Sequence, residues 1–216
     1  MSAYTDPDFE SIALVTIDVQ RDTLDGQPLE IPGTSAALPA MRKVVRAFRE
    51  SERPIVHVVR LYRADGSNAD LCRRDALERG AELLLPGSAG SELAPELLPS
   101  PETPLDAGRL LDGEVQEIGD REVVLYKPRW GAFYGTGLEQ HLHALGVNTI
   151  ALCGCNFPNC PRTTLYEASE RDFRIVLVRD AVSALYERGE REMEEIGVQL
   201  MDADTLAGRL SRIPAV

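Results

Sequence analysis

The sequence predicts an α/β layer fold with a mostly parallel sheet. Five or six short, almost wholly apolar runs rich in β-branched residues recur along the chain, as strands buried on both faces require. Segments of helical periodicity alternate with them. Three of the runs lead into residues that carry chemistry, and in such sheets ligands sit beyond the carboxyl ends of the strands.

Taken in order, Ile12 to Ile17 is the first strand and ends at Asp18. A polar loop with Gly26, Pro28, Pro32 and Gly33 follows. Ser35 is the expected N-cap of a helix to about Ser51, whose Leu38, Met41, Val44, Val45 and Phe48 share one face. Pro54 opens a second strand, Ile55 to Val59, leading to Arg60; His57 in its middle reads as a core histidine. From residue 62 to about 121 the pattern breaks. A short helix is expected over Asp70 to Gly80, and Pro86, Pro95, Pro99, Pro101 and Pro104 forbid long regular elements after it. So long an irregular stretch within a compact domain is usually functional, so it is expected to border the site or a subunit contact. Alternation resumes with Glu122 to Tyr126, ending at Lys127-Pro128. A helix over Thr136 to Leu145 stops at Gly146. The strand Thr149 to Cys153, the turn Gly154 to Asn159 and a helix from Cys160 to about Asp172 come next. A strand from Arg174, a helix from Glu187 to Ile196, a short strand at Val198 to Met201 and a terminal helical segment from Thr205 complete the chain.

At 216 residues, 44% hydrophobic and 27% charged, the chain is expected to form one domain over residues 1–216, with the irregular excursion inside it. A net charge of −12 argues against nucleic acid and anionic membrane surfaces as partners. No apolar run approaches the ~20 residues of a membrane span, and the first residues lack the basic and apolar regions of a signal peptide. A cytoplasmic location is therefore expected, with Cys72, Cys153, Cys155 and Cys160 as free thiols.

Asp18, Lys127 and Cys160 should share one rim of the sheet. A thiol, a carboxylate and an ammonium there supply a nucleophile, a proton acceptor and a charge stabiliser. Cys160, with Pro161 beside it, stands at a helix start, where the dipole favours thiolate, and Lys127 is expected to lower the thiol pKa further. Cys153 and Cys155 read as core residues. The spacing C-x-C-x₄-C is not a usual zinc pattern and no histidine lies close by, so neither metal nor cofactor is expected. His141 and His143 sit two apart on a helix and cannot face one point, so a Cys–His dyad is not expected.

Three stretches carry a family resemblance. Ile17-Asp18-Val19-Gln20, Tyr126-Lys127-Pro128-Arg129-Trp130-Gly131-Ala132-Phe133 and Gly154-Cys155-Asn156-Phe157-Pro158-Asn159-Cys160 resemble, in this order, motifs of the isochorismatase-like cysteine hydrolases. Arg179-Asp180-Ala181 is similar to the usual end of the following strand. The resemblance implies a three-layer αβα fold with a six-stranded, mostly parallel, Rossmann-like sheet. It implies attack by Cys160 on a carbonyl through a thioester, with Asp18 as acid and base and Lys127 assisting. It further implies a cis peptide between Cys155 and Asn156, and an oxyanion hole from the amides of Asn156 and Cys160. The expected partner is a small-molecule amide of carbamoyl or ureido type, and the expected assembly a homo-oligomer, dimer or tetramer. Two alternatives stay open: a vinyl-ether hydrolase, against which Cys160 argues, and a catalytically silent binding module.

The chain departs from the family in ways that bear on substrate. Phe157-Pro158 stands where Thr is frequent, Pro161 where many members have Val, and Arg21-Asp22-Thr23 where an Asp-Phe pair is common, so Thr23 is expected to shape the pocket. Nicotinamidase relatives carry an Asp-x-His metal pattern after the second strand; here that region is Arg60-Leu61-Tyr62-Arg63, which points away from zinc and from nicotinamide. Arg60, Tyr62 and Arg63 either meet a carboxylate or ureido group or pair with acidic residues of the excursion. Trp130, Phe133, Tyr134 and Phe157 are candidates for the pocket wall, although aromatics serve cores and interfaces equally.

Overall fold

The computed structural model describes residues 3–100 and 103–214. Seven strands form one sheet in the order β3-β4-β2-β1-β5-β6-β7. They are β1 (Ile12–Ile17), β2 (Ile55–Val59), β3 (Gln116–Gly119), β4 (Glu122–Tyr126), β5 (Thr149–Gly154), β6 (Arg174–Val182) and β7 (Gln199–Met201). Every pairing is parallel except β3 with β4. The central strand β1 pairs with β2 on one side and β5 on the other.

Strand alternation sorts the side chains into two cores. Ala13, Val15 and Ile17 of β1, with Val56, Val58, Ile150, Leu152, Ile175 and Leu177, pack on one face. Against them lie α4 (Leu138–Ala144), α5 (Cys160–Ser169) and α6 (Glu187–Glu195), through Leu138, Leu142, Leu165, Ala168 and Met193. Ile12, Leu14, Ile55, Ala151, Cys153 and Val176 face the other way, onto α1 (Thr34–Glu50) and α7 (Ala203–Leu210). These are the three layers.

The structure corrects two readings of the elements. The sheet has seven strands, because β3 pairs antiparallel at the edge. Its four residues include one buried side chain, Gln116, so no apolar run announces it. Helix α1 starts after Gly33, in a left-handed conformation at φ 87°, rather than at Ser35; the Ser35 hydroxyl instead accepts the Asp25 N–H at 2.9 Å. As the resemblance implies, Arg179-Asp180-Ala181 belongs to the end of a strand: β6 runs through it to Val182, and Asp180 Oδ1 accepts the Ala203 N–H at the start of α7, at 2.8 Å.

The excursion holds α2 (Leu71–Glu78), two 3-10 turns at Ala89–Ser91 and Pro95–Leu97, α3 (Ala107–Leu111) and β3. It is fastened to the loop after β1. Gln20 Nε2 donates to the Arg60 and Ser91 carbonyls at 2.9 and 2.7 Å, and Gln20 Oε1 accepts the Arg60 N–H at 2.8 Å. Asp22 Oδ2 accepts the Leu84 N–H at 2.7 Å. These bonds hold the excursion over the carboxyl edge of the sheet. No helix among the described residues is long and apolar enough to cross a membrane.

Candidate active site

Asp18 follows β1 directly, in a left-handed conformation at φ 53° that a non-glycine residue seldom adopts. Its N–H donates to the Val58 carbonyl at 2.9 Å, and the Lys127 N–H donates to the Val59 carbonyl at 3.0 Å, so the end of β2 holds both residues from opposite sides. Lys127 Nζ lies 2.8 Å from Asp18 Oδ2, and the lysine side chain is fully buried. It also donates to the Arg129 carbonyl at 3.3 Å. Burial pushes the Lys127 ammonium down, but the Asp18 charge and hydrogen bond, together with Cys160, outweigh it and hold the lysine above its ordinary value. Asp18 Oδ1 is buried and has no hydrogen-bond partner among the described residues.

The third residue arrives from β5. Gly154 permits the approach: it has φ 123°, and a Cβ there would fall 2.2 Å from the Ile17 carbonyl oxygen. The next residue donates its N–H to that carbonyl at 2.9 Å, and its thiol to the Asp18 carbonyl at 3.1 Å. The peptide between Cys155 and Asn156 is cis. The turn ends with Asn159 as the N-cap of α5, so Cys160 is its first residue and Pro161 its second. The amides of Asn156 and Cys160 have no backbone acceptor among the described residues.

Cys160 is partly buried, and its thiol differs from the sequence expectation. Burial pushes it up to about 12, the Asp18 charge pushes the same way, and Lys127 offsets only part of this. The helix start therefore does not make a resting thiolate; the free site holds a neutral thiol beside a carboxylate oxygen with no donor. Burial also pushes the Cys153 thiol up to about 12 and raises Cys155, as suits packed, unreactive sulfur.

These groups share a cavity of about 50 Å³. Asp18, Cys155, Asn156, Asn159 and Cys160 form its reactive end. Thr23, Leu29, Ile31, Leu84 and Trp130 line it as well, and so do Arg60, Tyr62, Asp70 and Arg73, with the Arg60 guanidinium standing between Asp70 and the Lys127 carbonyl. The Thr23 hydroxyl is turned to the carbonyls of Asp18 and Gln20, at 3.0 and 2.7 Å, which leaves its methyl for the cavity. Arg60 is buried and stays charged, since Tyr62, Asp18 and Asp70 more than offset its burial. Its guanidinium pairs with Asp70, donates to the Tyr62 hydroxyl at 3.1 Å and to the Lys127 carbonyl at 3.4 Å. Of the two expectations for Arg60, pairing with an acid of the excursion is the arrangement found. Arg63 is exposed and away from the cavity.

Three aromatics expected at the wall lie elsewhere. Phe133 is buried in the core against Phe173, ring centroids 5.6 Å apart, because Glu167 of α5 accepts its N–H at 2.9 Å and draws the loop onto that helix. Tyr134 is exposed, one residue past that anchor. Phe157 is wholly buried edge-on to Tyr186 at 5.4 Å, and Gly189 makes room for it. Sequence reasoning missed Asp70, Arg73, Leu29, Ile31, Leu84 and Asn159. Asn159 lies inside a motif stretch and was findable; the others carry no local signal. Among the described residues, no group of three or more His, Cys, Asp or Glu is placed to hold a metal ion.

Comparison with known proteins shows the family. The chain is 29% identical over 201 residues to a maleamate amidohydrolase of Pseudomonas putida, covering 91% of this chain and 80% of that one. It is 26% identical over 198 residues to a probable inactive nicotinamidase of Arabidopsis thaliana, covering 88% and 92%. An isochorismatase family protein of Desulfovibrio vulgaris superposes with a TM-score of 0.78 at 30% identity, covering 94% of this chain and 99% of that one. The Isochorismatase domain family matches residues 12–204, and the chain belongs to that family of hydrolases.

Proposed function

We propose that the chain is a cysteine amidohydrolase that cleaves the C–N bond of a small carbamoyl- or ureido-type amide. The observation that carries this reading is the buried Asp18–Lys127 pair at 2.8 Å, with the free Asp18 oxygen and the Cys160 thiol at one cavity. The similarity to a maleamate amidohydrolase supports the reaction type.

The thiol proton passes to Asp18 as sulfur bonds to the substrate carbonyl carbon. Lys127 keeps the carboxylate positioned and supplies the compensating charge. The carbonyl oxygen takes up negative charge and is met by the amides of Asn156 and Cys160. The tetrahedral adduct collapses, the C–N bond breaks, and Asp18 returns the proton to the departing nitrogen. A water then gives a proton to Asp18 and adds to the thioester; collapse breaks the C–S bond, and the same proton restores the thiol. A thiol that starts protonated suits this cycle, because Asp18 has a proton to move in each half.

The test is ammonia release from a panel of small carbamoyl and ureido amides. Wild type should turn over at least one, and Cys160→Ala should lose on the order of 10³-fold or more. Turnover that survives in Cys160→Ala would sink the thioester route. Binding without ammonia release would favour a silent binding module, in keeping with the similarity to a probable inactive relative.

A further inference from the structure

Across the Arg60 guanidinium from the Lys127 carbonyl, the cavity lining contains a carboxylate whose hydrogen bonding is half complete. Asp70 is the N-cap residue of α2, yet its side chain makes no capping bond. Arg60 and the Tyr62 hydroxyl draw it inward instead, both onto Oδ2. The side chain is 9% exposed and lines the cavity. Oδ1 is buried and has no hydrogen-bond partner among the described residues. A buried charged acceptor left without a donor is costly, and the cavity is the direction from which a ligand can supply one.

Charge narrows the ligand. Two cations, Arg60 and Lys127, and two anions, Asp18 and Asp70, are buried around the cavity and balance. The Arg60 guanidinium makes three hydrogen bonds, to Asp70, Tyr62 and the Lys127 carbonyl, and its charge is paired with Asp70. A carboxylate brought against Asp70 would be buried beside a like charge, with the Arg60 charge already paired. Arg73 also lines the cavity, but it is only partly buried, so water can serve it.

We propose that Asp70 is a specificity-determining residue, whose Oδ1 accepts a hydrogen bond from an N–H of a neutral, ureido-type group on the part of the substrate remote from the cleaved bond. This rests on the amidohydrolase reading for the identity of the other end, and it names the substrate class more narrowly. A site that hydrogen-bonds a donor rejects the analogue lacking it strongly, since the protein acceptor is otherwise left buried and unpaired.

The experiment measures binding, by calorimetry, to the Cys160→Ala protein, in which chemistry is blocked. Three probes differ only at the remote end: 2-ureidoacetamide, which carries N–H donors; methyl malonamate, which carries acceptors alone; and malonamate, which carries a carboxylate. The ureido compound should bind at least about tenfold more tightly than the ester. Adding Asp70→Ala should bring the two within about threefold, and Asp70→Asn, which keeps the shape and one acceptor, should give an intermediate ratio. If Asp70→Ala does not fold, the comparison of probes on the Cys160→Ala protein and on Asp70→Asn still decides. Failure of the ureido compound to bind more tightly than the ester overturns the proposal. Tightest binding by malonamate also overturns it and gives this end of the cavity to Arg73. Selective binding of 2-ureidoacetamide with no ammonia release by wild type supports the role of Asp70 and counts against the hydrolase reading instead.

Discussion

Asp18 and Lys127 belong to strands that are not neighbours: β2 lies between β1 and β4, and the lysine ammonium reaches past its end to stand 2.8 Å from Asp18 Oδ2. The contact therefore forms only when three strands have taken their register. It joins two charges that are each almost completely removed from water. Neither would be tolerated there alone.

Removing one member should accordingly cost more than removing both. Lys127→Met leaves the Asp18 carboxylate buried without its cation and should lower unfolding free energy by about 3–5 kcal/mol. Asp18→Asn with Lys127→Met together should recover much of that loss and still abolish turnover. Urea denaturation of the single and double variants, read beside a turnover assay, checks both parts; additive losses of stability would contradict the coupling.

The raised Cys160 thiol gives a second prediction. With a pKa of about 12, only about 10⁻⁴ of it is thiolate at pH 8. In a Cys72→Ser background, which removes the exposed cysteine, modification by the small neutral reagent methyl methanethiosulfonate should be slow at pH 8 and quicken as pH rises. Asp18→Asn removes a charge that pushes the thiol up, so it should speed modification at pH 8 while abolishing turnover. Slower modification in Asp18→Asn would mean that Asp18 assists loss of the thiol proton instead of opposing the thiolate through its charge.

Glu122 offers a pH test of stability outside the cavity. Arg49 donates to both its oxygens at 2.8 and 2.6 Å, and His57 lies 2.8 Å from Oε1. Despite burial, these contacts pull its carboxyl down to about 2 from an ordinary value of 4.5. A depressed folded-state pKa contributes stability that is fully present above 4.5 and is lost as pH falls through about 2. The amount is ~3 kcal/mol. Glu122→Gln should be less stable at neutral pH and lose less than wild type across that acid window, as measured by denaturation at stepped pH.

Much of the fold was legible because its strands are buried on both faces. Ile12 to Ile17 and Thr149 to Gly154 are buried at every position, and such strands must be written as apolar runs. The rim carrying Asp18, Lys127 and Cys160 followed from where those runs end. Strand β3 was not legible, since an edge strand with one buried residue leaves no pattern. Asp70 and Leu84 were hidden for another reason. Their route to the cavity is set by side-chain bonds such as Gln20 to Ser91 and Asp22 to Leu84, across 71 and 62 residues of sequence. Phe133 and Phe157 misled because a large ring near a motif does not reveal which side of the turn it will take. The thiol misled because a helix start is visible in sequence and the depth of its burial is not.

The Gln20 side chain, with its three bonds to the backbones of Arg60 and Ser91, makes the roof and floor of the cavity a single cooperative unit. Local unfolding of the excursion differs from the fraying of a peripheral loop, because releasing Ser91 strips the buried Gln20 amide of one of its two acceptors. Exchange of the Leu84 and Arg60 amides with solvent deuterium is thus tied to the same opening that would let water reach Asp18. Protection of the excursion and the integrity of the reactive end then become one property of the chain.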